Sequence, residues 1–381
     1  MSLRYTVSLV LVLLLLTGCG GPRAVLGLDS QLNDAKSVST VPIYVATNRA
    51  RSDNLSLPYS AARSLTLNFA KFDISIPPNH RPGHVEKTGR SPDPARHFTA
   101  RSFQPLDGRK QFIEQLNVAL MRLPPGKREI FIFVHGYNNN FADSIFRNAQ
   151  IVHDYNVQSV ALHYAWPSAG SLPLYVYDRD STYIGRSGLA ETIEIAAQTK
   201  AERILLVGHS MGALVVMEGL RDLALTERQR YLDRLTTVVL AAPDIDVDVF
   251  QKQTDDIGKL PEPFTILVSR RDRALNVSGR IAGGHPRVGD GSDIGMLQKK
   301  NITVLDASDL DGGTHSVFAS SETLMNISRN NGLIRGVVEG NTASTAETLV
   351  ADGTSVLQGA ANLVIYLPVR LLGAATSGIA Y

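Results

Sequence analysis

Six short apolar runs, separated by longer amphipathic or polar stretches, restrict the possible folds of this chain more than any other feature. They are Ile130 to Val134, Ser159 to Tyr164, Ile204 to Val207, Thr237 to Ala241, Phe264 to Val268 and Ile302 to Leu305. Runs of this length without alternation are characteristic of strands buried on both faces, as in parallel sheets. Between them, Ala142 to Tyr155, Ser187 to Thr199 and Ala213 to Leu223 read as helices, and a further helix is expected after His315. Alternating strand and helix implies an α/β architecture: a mostly parallel central sheet with helices on both faces. Upstream, Ile43 to Ala46 reads as a first strand, Thr66 to Ile76 holds alternating apolar residues, Pro77 to Thr99 reads as a loop and Gln111 to Leu120 as a helix.

The 381 residues are 44% hydrophobic, enough apolar material for one large core, and that domain is placed at 41–320. A net charge of +2, with no block of basic residues, argues against nucleic acid as a partner. The first eighteen residues read as a secretory signal: Arg4, then an apolar run from Val7 to Leu16 that is too short for a membrane span. Leu16-Thr17-Gly18-Cys19 follows, and Cys19 is the chain's single cysteine. One cysteine makes no internal disulfide, so a modification is the informative reading. The tetrad resembles the bacterial lipobox, which implies a signal peptide over 1–18, a lipidated Cys19 and a flexible tether over 19–40. Gly20 after the cysteine resembles the group of lipoproteins sent to the outer membrane. The expected location is therefore the bacterial cell envelope, lipid-anchored and facing the periplasm. Residues 321–381 are expected to form a C-terminal helix and an apolar tail. Within that tail Leu363 to Leu372 is interrupted by Pro368 and Arg370, so a surface-packing or interfacial helix is expected rather than a membrane span.

The chemistry is concentrated at Gly208-His209-Ser210-Met211-Gly212. A bare Gly-x-Ser-x-Gly is a weak signal. Here the apolar run Ile204 to Val207 precedes it and Ala213 to Met217 follows, giving the strand, sharp turn and helix of a nucleophile elbow. Small residues at Gly208 and Gly212 let the chain reverse while Ser210 takes a strained conformation. A serine hydroxyl also needs a base, an acid to orient that base, and amide donors for an oxyanion. In this fold the order along the chain is nucleophile, acid, histidine. Only His285 and His315 follow Ser210, and His315, directly after the last apolar run, is the expected base. Asp272, after Phe264 to Val268, is the favoured acid, with Asp244, Asp246 and Asp248 after Thr237 to Ala241 as alternatives. The flanking arginines also give Asp272 a possible surface ion pair. For the oxyanion, Met211 N–H and, from the His135-Gly136-Tyr137 loop, Tyr137 N–H are the expected donors. The side chains of Asn138, Asn139 and Asn140 are expected to make turn hydrogen bonds, and His135 and His209 to be packed, hydrogen-bonded loop residues.

Rival chemistries find less support. His80 and His84 are four residues apart, but Pro82 and Gly83 between them oppose a helical metal face. There is no Walker-type phosphate loop, and no metal or cofactor is expected. With these residues in view, the chain resembles a family of bacterial α/β-hydrolase-like proteins of unknown function, close to esterases and lipases. The resemblance spans roughly Val41 to Ser320 and rests on Phe133 to Asn138, Ala165 to Ser168, Tyr177 to Arg179, Gly208 to Gly212, Ala241 to Asp244 and Ser269 to Leu275. It implies an α/β-hydrolase fold. Trp166 to Ile184 is expected either to line an acyl pocket or to be plain core and loop. The reading is a serine hydrolase acting on a small carboxylic ester through an acyl-enzyme on Ser210. Amide, peptide or thioester cleavage by the same residues is an alternative, as is a non-catalytic, lipid-anchored binding protein of the envelope.

Overall fold

Every apolar run from Ile130 onward is a strand whose side chains alternate between two cores. The structure, a computed structural model, describes residues 23–28, 39–330 and 363–368. Its strands are β1 (Thr40–Arg51), β2 (Tyr59–Ser75), β3 (Thr99–Leu106), β4 (Glu129–Val134), β5 (Val160–Ala165), β6 (Arg203–His209), β7 (Thr237–Ala241), β8 (Phe264–Val268), β9 (Thr303–Asp306) and β10 (Val364–Tyr366). In β4, Ile130, Ile132 and Val134 join one core while Phe131 and Phe133 join another. In β7, Val238 and Leu240 point to the first core, and Ala241 to the second. Burial of each such side chain contributes about 1.5–3 kcal/mol, which is why apolar residues dominate these strands.

The helices are α1 (Gly108–Leu120), α2 (Phe141–Asp154), α3 (Tyr175–Ala197), α4 (Met211–Leu225), α5 (Val247–Ile257), α6 (Arg273–Ile281) and α7 (Glu322–Asn330), with shorter turns at Gln229–Leu232, Ile294–Lys299 and Val317–Ser320. Phe112 of α1, Leu189 of α3, Val215 of α4 and Phe250 of α5 all belong to the first core. Ile151 of α2, Phe318 of the Val317–Ser320 turn and Leu324 of α7 belong to the second. The sheet is therefore covered on both faces, as expected for an α/β-hydrolase fold.

The strand order is β10-β9-β8-β7-β6-β4-β5-β1-β2-β3. From β9 to β1 every neighbouring pair is parallel, while β2, β3 and β10 are antiparallel additions at the two edges. The chain leaves β4 for β5 on one side and then crosses back to β6 on the other. Such a reversal opens a crevice beyond the carboxyl ends of the two strands, here β4 and β6.

Three local expectations change. The helix expected from Ser187 begins at Tyr175, because Asp178 in its first turn is buried and accepts hydrogen bonds from Ala169 N–H (2.6 Å) and Ser168 Oγ, anchoring a segment whose buried side, Asp178, Ser181 and Thr182, is polar while Val176 and Tyr183 face outward. The Pro77 to Thr99 loop is followed by β3, which pairs with β2. In the tail, Val364–Tyr366 extend as β10 against β9 instead of forming a helix: β-branched and aromatic residues favour a strand, and Pro368 forbids helical continuation. Among the described residues no helix is long and apolar enough to cross a membrane. Cys19, the lipobox and most of the tail lie outside the described residues.

Candidate active site

The turn between β6 and α4 sets Ser210 at the mouth of the β4/β6 crevice. Its φ of 55° and ψ of −124° lie where a residue with a Cβ is strained. Three backbone hydrogen bonds hold it there. Ser210 N–H donates to Ala241 O (3.0 Å), and Ser210 O accepts from Ala213 N–H (3.0 Å) and Asp244 N–H (3.2 Å). Glycine is required around it by contact. A Cβ on Gly212 would stand 2.2 Å from His135 O and 2.6 Å from Val134 O. One on Gly136 would stand 3.0 Å from Ser210 Cβ, so the Gly136-Tyr137 backbone lies against the serine. At Gly208 the obstruction is Val216 Cγ2, 2.8 Å away.

His315 precedes the Val317–Ser320 turn, and its side chain is one quarter exposed. Its Nε2 lies 2.8 Å from Ser210 Oγ and its Nδ1 2.6 Å from Asp272 Oδ2. Asp272 follows β8, as the sequence favoured, and is completely buried. It is the N-cap of α6: Oδ1 accepts the Leu275 N–H at 3.0 Å, which turns Oδ2 toward the imidazole. The flanking arginines pair elsewhere, Arg270 with Asp306 and Arg271 with Asp309. Hydroxyl, imidazole and carboxylate thus form one continuous relay. It can take the hydroxyl proton onto Nε2 while the carboxylate faces the ring that becomes charged.

The alternative acids are committed to other tasks. Asp244 is buried and accepts from Ser278 Oγ (2.7 Å) and Tyr175 Oη (3.0 Å), with the buried Arg287 guanidinium at 3.3 Å. Asp246 caps α5, and Asp248 is exposed in its first turn. His285 is exposed, with Asp246 3.9 Å away.

The loop after β4 is braced from several sides. Asn139 Nδ2 donates to Gly136 O (3.1 Å) and Tyr137 O (2.8 Å), while Asn140 caps α2 by accepting from Asp143 N–H. Asn138 Oδ1 accepts from Arg23. Tyr137 Oη donates to Leu172 O, and its ring meets Tyr175 edge-on at 5.3 Å; burial and then Asp178 push the phenol up to about 12. The Tyr137 N–H donates to no acceptor among the described residues, and Met211 N–H opens α4 directly after Ser210. A helix N-terminus favours negative charge at that point.

His135 and His209 are packed, as expected. His135 stacks on Trp166, whose Nε1–H donates to His135 O at 2.6 Å; Trp166 is wholly buried, so it is core and does not line a pocket. His209 bonds through Nε2 to the His315 carbonyl (3.1 Å), and its ring lies 4.9 Å from that of His315. Burial, and next the nearby His315, hold His209 well below the usual histidine range, so its neutral ring donates that bond. Arg49 of β1 was not anticipated. Its buried guanidinium donates to Asn139 O (2.9 Å) and Ser168 O (2.9 Å), tying the β4 loop to the β5 loop, and burial draws it down to about 10.

A cavity of about 700 Å³ lies under the second face of the sheet, lined by residues that include Tyr155, Leu205, Val239, Leu305 and Phe318 but none of Ser210, Asp272 or His315. The one group among the described residues whose potential metal-ligating atoms converge, His80, His153 and Asp154, sits at the far end of α2.

A family described as α/β hydrolases of unknown function, DUF900, matches residues 112–332. No curated protein matches the chain. Among solved structures, a cutinase of Trichoderma reesei bound to a phosphonate inhibitor is similar at 15% identity over 31% of this chain, which spans 52% of that enzyme, with a TM-score of 0.23. Esterase B from Lactobacillus rhamnosis is 12% identical over 85% of this chain and 90% of its own, with a TM-score of 0.35. Fungal esterases from Rhizomucor miehei give 11%, 82%, 85% and 0.33 for the same four quantities. Likeness at these scores carries no functional weight.

Proposed function

We propose that this chain, a member of the DUF900 family of α/β hydrolases, is a serine hydrolase that cleaves carboxylic esters through an acyl-enzyme on Ser210. The observation that carries the reading is the single imidazole of His315 bridging Ser210 Oγ at 2.8 Å and the buried Asp272 carboxylate at 2.6 Å. As Oγ attacks the ester carbonyl, Nε2 takes the hydroxyl proton and Asp272 stabilises the imidazolium. The carbonyl electrons move onto oxygen, and the resulting oxyanion accepts hydrogen bonds from the Met211 and Tyr137 N–H groups. Collapse of that intermediate breaks the bond to the leaving alkoxide, which takes the proton from Nε2. Water then repeats the sequence, releasing the acid and restoring Ser210. Leu172, whose carbonyl accepts from the Tyr137 hydroxyl, and Leu174 two residues on are exposed and offer apolar surface to an acyl or alkoxy group.

A fluorophosphonate probe is expected to label the wild type and not Ser210→Ala; equal labelling of both defeats the proposal. A panel pairing each chromogenic ester with its amide and thioester tells the ester reading from its alternatives. We propose that the protein sits in the bacterial envelope, on the periplasmic side of the outer membrane, held by lipid on Cys19. That rests on the resemblance of Leu16-Thr17-Gly18-Cys19 to a lipobox. Cys19→Ala is expected to shift the protein out of the membrane fraction or stall its maturation, and unchanged fractionation and processing would count against the anchor.

A further inference from the structure

The 77–98 connection between β2 and β3 carries His80 across to the end of α2, where it meets His153 and Asp154. His80 is turned inward, its side chain only 5% exposed. Its Nδ1 lies 2.8 Å from Glu86 Oε2 and its Nε2 2.8 Å from Asp154 Oδ1. The same Asp154 oxygen has His153 Nδ1 3.0 Å away. His80 Nε2, His153 Nδ1 and Asp154 Oδ1 all lie within 4.8 Å of one another. His84, the other half of the pair that the sequence argued against, points to solvent and takes no part.

We propose that His80, His153 and Asp154 form a binding site for a divalent transition-metal ion, best suited to Zn²⁺. Two imidazole nitrogens and one carboxylate oxygen, each able to give one lone pair to a common point, are a donor set that zinc accepts. The surroundings of the three atoms are already arranged for it. Glu86 accepts from Nδ1 of His80, which turns Nε2 toward Asp154 as the nitrogen that coordinates once a metal displaces its proton, and Glu86 Oε1 is in turn held by Arg81 N–H at 3.1 Å. Asp154 spends its other oxygen on Gly83 N–H (2.7 Å) and Gln150 Nε2 (2.6 Å), so Oδ1, which faces both imidazoles, is the oxygen that would meet the metal. Asp154 is fully buried, whereas His153 is one third exposed, so an ion has both a desolvated seat and a route in. A remaining coordination position falls to water.

The site lies apart from the Ser210 relay. The fourteen residues of α2, at about 1.5 Å each, put it roughly 20 Å from the loop that carries Tyr137. It does reach the other end of the relay through the backbone. Gly83 O accepts from Arg147 Nη1 (3.3 Å), which also donates to Ala319 O (3.3 Å) in the turn that follows His315. Gly83 itself packs so closely on Ser320 O that a Cβ would stand 2.5 Å from it. A metal would therefore fasten the 77–98 connection over the segment that presents the base.

The test uses the full chain, purified without an affinity tag, stripped with chelator and titrated with Zn²⁺ alone by calorimetry. One equivalent is expected, with a rise in thermal midpoint. X-ray absorption at the zinc edge should report nitrogen and oxygen neighbours at about 2.0–2.1 Å. His153→Ala alters a partly exposed side chain and is expected to fold and to lose the binding. Glu86→Gln, which touches no metal, should weaken it by about 10- to 100-fold. No zinc uptake by the wild type, or uptake that His153→Ala leaves undiminished, overturns the proposal.

Discussion

His315 and His80 are each held through both ring nitrogens, yet their partners differ by one group. His315 stands between a carboxylate and a hydroxyl, whereas His80 stands between two carboxylates. A hydroxyl has a proton to give, so the first ring can act as a base; a carboxylate has none at neutral pH, so the second can only stay charged or share a cation. Burial opposes charge on His80, but the hydrogen bonds to Asp154 and Glu86 outweigh it and raise its pKa. Glu86 is correspondingly drawn down, as is Asp154. One arrangement moves a proton and the other keeps a charge in place, although a count of histidines and acids would score them alike.

The same substitution made at the two ends should separate these roles. Asp272→Asn removes the charge behind His315, and turnover of the best ester is expected to fall by about 10³- to 10⁴-fold. Asparagine still caps α6, so the urea midpoint should hardly move. Asp244→Asn is the control, since Asp244 answers to Tyr175, Ser278 and Arg287 and does not touch His315. If Asp244→Asn proves the more damaging to turnover, the acid has been misassigned. At the other end, Asp154→Asn takes the charge from a buried carboxylate bonded to His80, Gly83 and Gln150. There the expected loss is in stability, about 1.5–3 kcal/mol by urea denaturation without metal. A turnover defect as deep as that of Asp272→Asn, in a variant that keeps its stability, would erase the distinction between the two histidines.

What the sequence revealed, and what it hid, follows from how far each signal reaches along the chain. β4 to β9 were legible because parallel strands buried on both faces need unbroken apolar runs, and the Ser210 turn because its glycines are local requirements of a close approach. Asp272 and His315 were legible from chain order once the strands were placed. Arg49 was not, since it acts on Asn139, 90 residues away, and an arginine on a strand ordinarily reads as an exposed one. The His80 cluster was hidden for the same reason: the spacing to His84 suggested a helix that proline forbids, while its true partner Asp154 is 74 residues on. β3 escaped because its period is weak, and the first turns of α3 because they bury Asp178, Ser181 and Thr182 and expose Val176 and Tyr183, the reverse of an amphipathic pattern.

A third kind of histidine sharpens the contrast at smaller cost. His135, His163 and His209 are buried without a carboxylate, and burial first, then neighbouring Arg49 for the first two and His315 for the third, holds them below the usual range, His163 at about 3. In the unfolded chain each takes up a proton below about pH 6.5, while in the folded chain it does not. Their neutral burial therefore favours folding above that pH and loses ground as pH falls, by up to about 1.4 kcal/mol per pH unit for each ring. His80 contributes no slope in the same window, because a raised pKa gives stability that is already complete below about 6.5 and is lost only as pH rises. His163 is the ring to remove: it stacks on Phe133, and its partner Ser144 Oγ keeps a bond to Phe141 O at 2.8 Å. Urea midpoints taken between pH 5 and 6.5 should fall less steeply for His163→Phe than for the wild type, by about one proton's worth of slope. Parallel curves would mean that His163 is protonated within the fold, and that burial without a carboxylate does not set its charge.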